Sequence, residues 1–429
     1  MIDIIAIAVV FLIFSLFSGK LEKSIINAPI FFLIAGIIIN SDLAKNLGTN
    51  NIAPILFFVG VATLGLSFFN NAARTGFSAF KGDISLSSRL LFIALPLTVV
   101  LGTLFSFWLI PEVGWLESAL LAIILAPSDT NLIGGVLRNP HVPPRIRQAI
   151  SLESNVNDGL TTPLATIFII LAKTRLDYEV VMQHLIVPVL QILIALAVGI
   201  FVGGAGGWIM QKAEKKKWML PHFRGLVFPS LTVLALSMAN YFGGNYFIAS
   251  FVAGISLSIF DKKIRKKELV FSNTLMNMLS LLIFIFLGQT LYRVWEDITW
   301  QIFLYAFLSL TLIRILPVFI SMWRTKLQPV SSLFMGWFGA RGLASIVLAT
   351  VVVGSVPDVP NGDTIVHTVI VTVSMSIVLH GITALPLSKW YGKHIQKLSS
   401  SIPEMDIIEE DAFPFVLEHG FAEYQEKWE

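Results

Sequence analysis

Apolar stretches of roughly membrane-spanning length recur thirteen times along this chain, and that recurrence restricts its fold more than any other feature. They occupy approximately residues 2–17, 25–40, 52–69, 87–110, 116–138, 145–173, 184–211, 225–243, 245–260, 270–292, 300–323, 331–353 and 365–388. A spanning helix needs about 20 mostly apolar residues. Little polar sequence lies between the stretches. Charged residues make up 13% of the 429 and apolar residues 55%, whereas a soluble domain carries about 25% charged residues. That supply cannot cover a soluble enzyme, nor furnish the basic face that binds nucleic acid. With no cysteine, thiolate metal sites, disulfides and thiol nucleophiles are excluded. The expected class is an all-α polytopic membrane protein with about thirteen transmembrane helices, embedded in lipid, with no nucleic-acid partner and no cofactor. The first stretch carries Asp3 and lacks a basic leader, so it reads as a span and not as a signal peptide.

The basic residues orient these spans. Odd-numbered loops hold twenty of them, including the runs at 212–217 and 262–267, while even-numbered loops hold only Lys45, Lys173, Arg175 and Arg293. Positive charge gathers in cytoplasmic loops. The N-terminus is therefore expected outside and the C-terminus in the cytoplasm, in the cell (inner) membrane. The lysine runs read as topology anchors. The membrane unit covers 1–390, and the tail 391–429, with nine acids, reads as an acidic cytoplasmic extension, either a short helix or a disordered arm.

Five charges fall at mid-span: Asp129, Glu153, Asp158, Arg314 and Arg341. A charge at the bilayer centre costs at least about 2.5–3.5 kcal/mol, so such residues face protein or water and are functional by default. Three acids against two bases leave one carboxylate uncompensated, the inventory of a cation site. Asp129 lies in Ala126-Pro127-Ser128-Asp129-Thr130-Asn131 and Asp158 in Glu153-Ser154-Asn155-Val156-Asn157-Asp158-Gly159. Both are polar, helix-weakening runs, and broken helix at that depth is tolerated only where it is buried or lines a cavity. The twelfth stretch has its own irregularity at Gly336-Trp337-Phe338-Gly339-Ala340-Arg341-Gly342. Spans 5 and 12 run in opposite directions with breaks near their middles. That is the trace of inverted repeats, about 1–173 and 225–390, joined by a linker helix at 184–211, with two broken helices crossing at the midplane. There Arg341 would offset helix dipole ends. Glu153 would pair with one of the two arginines.

A hard cation such as Na+ or K+ wants oxygen ligands. Asp129 and Asp158, the hydroxyls of Ser128, Thr130 and Ser154, and the Asn157 amide can supply them. The carboxylates can hold protons when the cation is absent. If proton and cation compete for one carboxylate, alternating access yields exchange. A channel on the same site is the first rival. An intramembrane aspartyl protease is the second, disfavoured because neither Asp129 nor Asp158 follows Gly-x-Gly; the His-Glu-x-x-His of zinc proteases is absent as well.

Residues 126–163, APSDTNLIGGVLRNPHVPPRIRQAISLESNVNDGLTTP, together with LIRILPV at 312–318 and GWFGARGLASIV at 336–347, resemble the NhaP-type sodium/proton exchanger branch of the monovalent cation:proton antiporter superfamily. The resemblance runs over residues 1–390. It implies an NhaA/NhaP-like transporter fold, with a six-helix core moving against a dimerisation domain, and a homodimer. It implies that Asp158 of Asn157-Asp158 carries ion and proton, that Asp129 is the acid of the unwound helix, and that Ser128 and Ser154 line a Na+ or K+ site with the two aspartates. It implies that Glu153 and Arg314 form an inter-helix ion pair and that Arg341 sits at the helix crossing. Asparagine at 157, where other branches carry a second acid, implies electroneutral exchange of one Na+ (or Li+ or K+) for one H+. The chain departs from many relatives in reading Ser128-Asp129-Thr130 after Pro127 in place of Thr-Asp-Pro. It also has Ser67, Asn70 and Asn71 near the end of span 3 where some carry an acid.

Overall fold

The computed structural model describes residues 2–21, 26–39, 49–75, 85–130, 132–137, 139–174, 178–260, 266–353, 359–398 and 402–405. Each of the thirteen apolar stretches falls on helix. In chain order the helices are α1 (Ile2–Leu21), α2 (Ala28–Ile39), α3 (Thr49–Thr75), α4 (Ser85–Leu109), α5 (Trp115–Ile124), α6 (Gly134–Leu137), α7 (Pro144–Thr174), α8 (Tyr178–Lys215), α9 (Val227–Tyr241), α10 (Tyr246–Phe260), α11 (Lys266–Arg293), α12 (Trp300–Leu310), α13 (Leu312–Ser321), α14 (Pro329–Trp337), α15 (Leu343–Val353) and α16 (Gly362–Gln396). Among the described residues, seven segments are long and apolar enough to cross a membrane by length and composition alone. Large apolar side chains such as Phe58, Phe92, Trp108 and Trp208 are exposed on the outside of the bundle, the surface a lipid solvent requires.

Where helices stop, the sequence supplies the reason. Pro329 opens α14 at a position whose N–H would be unsatisfied anyway. Thr299 caps α12, its Oγ1 accepting from Ile302 N at 3.4 Å. Three of the thirteen stretches are interrupted: the fifth between α5 and α6, the eleventh at Thr311 between α12 and α13, and the twelfth between α14 and α15. The fifth and twelfth are the two breaks legible in the sequence. The one at Thr311 is not. Conversely, the polar run 153–159, read above as helix-weakening, stays inside the continuous α7.

The helices assemble as two bundles. In the first, α3 packs on α10 and α11, α2 on α11, and α8 lies along α10. Here backbones touch. A Cβ on Gly36 would run into the Ile285 carbonyl, one on Gly288 into that of Leu33, and one on Gly203 into that of Ala253, the small-residue contact that lets membrane helices approach closely. In the second bundle α4 packs on α5, α5 on α7, α13 on α14, and α16 on both α12 and α15. The two bundles meet mainly where α3 lies against α15 and α11 against α16, with α7 against α8.

Most of the acidic tail lies outside the described residues, as do Lys262, Lys263 and Arg265 of the basic run at 262–267. The described piece is held firmly. Glu404, fully buried, accepts from Gln328 N at 2.6 Å and Ser331 Oγ at 2.7 Å, so it caps the start of α14. Arg145, at the start of α7, donates to the Pro403 carbonyl at 2.6 Å.

Candidate functional site

The first break begins where Pro127, lacking an N–H, cannot continue α5. Ala126 N still reaches Ile123 O at 3.2 Å, and beyond it the chain has no regular secondary structure as far as Asp129. The carbonyls of Ala126 and Pro127 are thereby freed from helix, and both accept from Arg341 Nη1, the latter at 3.3 Å. The second break begins after Phe338, and α15 restarts at Leu343. The two interrupted segments bond directly: Asp129 N donates to Ala340 O at 2.7 Å, and Leu343 N donates to Asp129 Oδ2 at 2.8 Å. The Asp129 carboxylate thus lies at the N-terminus of α15, where the helix dipole favours negative charge.

The crossing leaves no room beside Asp129. A Cβ on Gly342 would overlap its carboxylate. Gly342→Ala is therefore expected to push Asp129 off the α15 amide. Overpacking of this kind costs about 1–3 kcal/mol, and here the cost falls on a site side chain. The expected outcome is a fall in apparent cation affinity of about tenfold or more with little change in expression. Cation-driven proton flux measured beside the unaltered protein checks it.

Helix α7 docks on the first break through the polar run that the sequence marked. Ser154 Oγ donates to Ser128 O at 2.5 Å, and Asn157 Nδ2 donates to Ser128 Oγ at 3.0 Å. Asn157 Oδ1 is buried with no donor among the described residues. Thr130 is half-buried in the turn after Asp129. Asp158 follows Asn157 within α7, and its side chain lies outside the described residues.

The charges resolve into distinct partnerships. Glu153 is 1% exposed, Arg314 and Arg341 are 0%, and Asp129 is 7%. Arg314 Nη2 donates to both Glu153 oxygens, at 2.6 and 2.7 Å. Arg341 goes instead to the freed carbonyls of the first break. Its own N–H donates to Ser376 Oγ at 2.7 Å.

Sequence reasoning did not single out α16. Ser376, His380 and Thr383 stand at i, i+4 and i+7, one face of a helix. His380 Nε2 lies 2.8 Å from Trp337 O, its Nδ1 lies 3.0 Å from Ser376 Oγ, and Thr383 Oγ1 accepts from Trp337 Nε1 at 3.0 Å. A polar stripe at helical spacing inside an otherwise apolar span was the available signal.

With this geometry in place the chain can be compared with known proteins. Residues 5–390 match the family described as "Sodium/hydrogen exchanger, transmembrane". The chain belongs to the sodium/hydrogen exchanger family. It is an integral membrane protein, and cation/proton exchange is its function class, as its NhaP-type motifs implied. A relative from Alkalimonas amylolytica named K(+)/H(+) antiporter NhaP is 24% identical, over 93% of this chain and 68% of its own length. Another, K(+)/H(+) antiporter NhaP2 of Shewanella sp. (strain ANA-3), is 21% identical over 74% of this chain. The alignment covers only 55% of that relative's length. Among solved structures, the sodium proton antiporter MjNhaP1 of Methanocaldococcus jannaschii at pH 8 superposes with a TM-score of 0.71 at 21% identity, covering 91% of this chain and 98% of its own. At that identity the likeness establishes the exchanger fold.

Proposed function

We propose that this exchanger moves one monovalent cation, Na+ first, against one proton, by alternating access to a site at the crossing of the two interrupted helices. The observation that carries the reading is the placement of Asp129. Its carboxylate and its backbone N–H both bond the second break, while Ser154 and Asn157 of α7 bond the residue before it. In this reading Asp158 and Asp129 hold the cation, Asp158 alternates between cation and proton, and Ser128, Thr130, Ser154 and Asn157 supply further oxygens. Glu153–Arg314 holds α7 to α13, and Arg341 neutralises the end of α5. K+ is the second reading, favoured by the names of the Alkalimonas and Shewanella relatives. The membrane unit spans 1–390 and divides into inverted repeats about α8, with 391–429 as a cytoplasmic tail. The second bundle, which holds the whole site, moves against the first, and the first forms a homodimer. The N-terminus faces outside in the inner membrane.

The test is purified protein in proteoliposomes with internal pH recorded as Na+, Li+ and K+ are added in turn. Exchange predicts alkalinisation or acidification set by the cation gradient. Cation flux with no proton counterflow would establish a channel and remove this reading.

Stoichiometry is tested separately. With Glu153 tied to Arg314 and Asp129 set on the α15 N-terminus, one carboxylate remains to alternate between proton and cation, and Asn157 carries no proton. Transport is then expected to ignore membrane potential, since each net charge moved would contribute about 2.3 kcal/mol per 100 mV. Proteoliposomes clamped with K+ and valinomycin, with Na+ as the driven ion, check this. A reversal point that moves with potential would show a second charge travelling.

A further inference from the structure

The pair Ser376 and His380 on α16 satisfies one backbone group on each side of the second break. Trp337 O belongs to the last turn of α14, whose carbonyls have no helical partner, and Arg341 N stands just before α15, where amides lack one. His380 Nε2 takes the first at 2.8 Å and Ser376 Oγ the second at 2.7 Å. A backbone carbonyl faces each ring nitrogen of His380: Trp337 O lies against Nε2, and Ser376 O lies 2.9 Å from Nδ1. Ser376 Oγ, which accepts from Arg341 N, also lies 3.0 Å from Nδ1. The ring is thus tied to the end of α14 on one side and to its own helix on the other. Thr383 completes the grip by holding the Trp337 ring. Between the two pinned points lie Phe338, Gly339 and Ala340. Ala340 O accepts from Asp129 N, and three residues further on Leu343 N donates to Asp129 Oδ2.

We propose that His380 and Ser376 are positioning residues for cation binding. Acting as a clamp, they fix the second break in the geometry that receives Asp129. This rests on the reading that places the cation at Asp129, and the test separates the two. Full-length protein carrying His380→Ala, His380→Gln or Ser376→Ala is assayed in proteoliposomes for the Na+ concentration giving half-maximal proton flux. The pH midpoint of the rate is taken at a fixed multiple of that concentration, with thermal melting in detergent as the folding control.

His380→Ala is expected to raise half-saturating Na+ by about tenfold and to leave the pH midpoint in place. His380→Gln, whose amide N–H can reach the Trp337 carbonyl, restores most of the affinity. Ser376→Ala, one oxygen smaller, gives a rise in the same direction and carries the test if His380→Ala fails to fold. Unchanged half-saturation in both His380→Ala and Ser376→Ala overturns the clamp. So does His380→Gln shifting the pH midpoint at unchanged half-saturation, which would make the imidazole a titrating group of transport. Asp129→Asn run in parallel reports on the site itself. If that variant exchanges normally, the reading of the site fails, whatever the α16 variants do.

Discussion

Asp158→Asn is expected to leave folded, membrane-inserted protein with no measurable cation-driven proton flux. An amide of the same size fills the same space beside Asn157, so the bonds from Asn157 and Ser154 to Ser128 have no reason to change. What disappears is a group that can be a carboxylate in one half of the cycle and a carboxylic acid in the other. Without it a dehydrated cation in the slab meets one formal negative charge fewer, and no proton can be exchanged for it. Asp129→Asn is expected to lose nearly as much for a second reason. Its amide can still accept from Leu343 N, but the charge set on the α15 dipole is gone. Internal pH recordings in proteoliposomes, with expression and melting as controls, check both. Sodium-driven flux retained by the Asp158 variant would remove that residue from the mechanism.

Glu153→Gln and Arg314→Gln are each expected to destabilise the protein strongly, and the double variant to recover much of the loss. Both side chains are almost fully buried, and Arg314 Nη2 bridges the two Glu153 oxygens. Removing one partner of a buried pair leaves an uncompensated charge and costs about 3–5 kcal/mol; removing both does not. Thermal melting of the two singles and the double closes a mutant cycle. Additive losses would show that the pair is not energetically coupled and that each charge is offset by something else.

The apolar helices and two of the three interruptions were legible because each has a chemical cause in the sequence: apolar length for the helices, Pro127 for the first break, and glycines at 336, 339 and 342 for the second. The interruption at Thr311 has no such mark, since Thr-Leu-Ile-Arg contains neither glycine nor proline and the nearest proline, Pro317, lies six residues on. The run Glu153–Gly159 misled in the opposite direction. Serine and asparagine weaken helices by bonding their own backbone, but Ser154 and Asn157 spend their hydrogen bonds on Ser128, so α7 continues. The partner of Glu153 could not be chosen from depth alone, because Arg314 and Arg341 sit at similar depths. Only the fold shows that Arg341 faces the carbonyls freed by Pro127. His380 escaped notice because a lone imidazole in an apolar helix is usually a satisfied core group. It is satisfied here too, on one side by Trp337 O at the edge of the break and on the other by Ser376 of its own helix.

The glycine contacts of the first bundle have a mechanical corollary. Where Gly36 and Gly288 bring α2 and α11 backbone to backbone, and Gly203 does the same for α8 on α10, no layer of side chains is left to shear, and the helices there run uninterrupted. All three interruptions, and a π-turn at Leu90–Ala94 in α4, fall in the other bundle. Compliance is therefore partitioned: one half of the molecule is a stiff post, and the other is jointed at the height of its charges. Amide hydrogen exchange is the natural gauge of such a partition, slow throughout α2, α10 and α11, and fastest within the jointed half at the residues flanking Thr311.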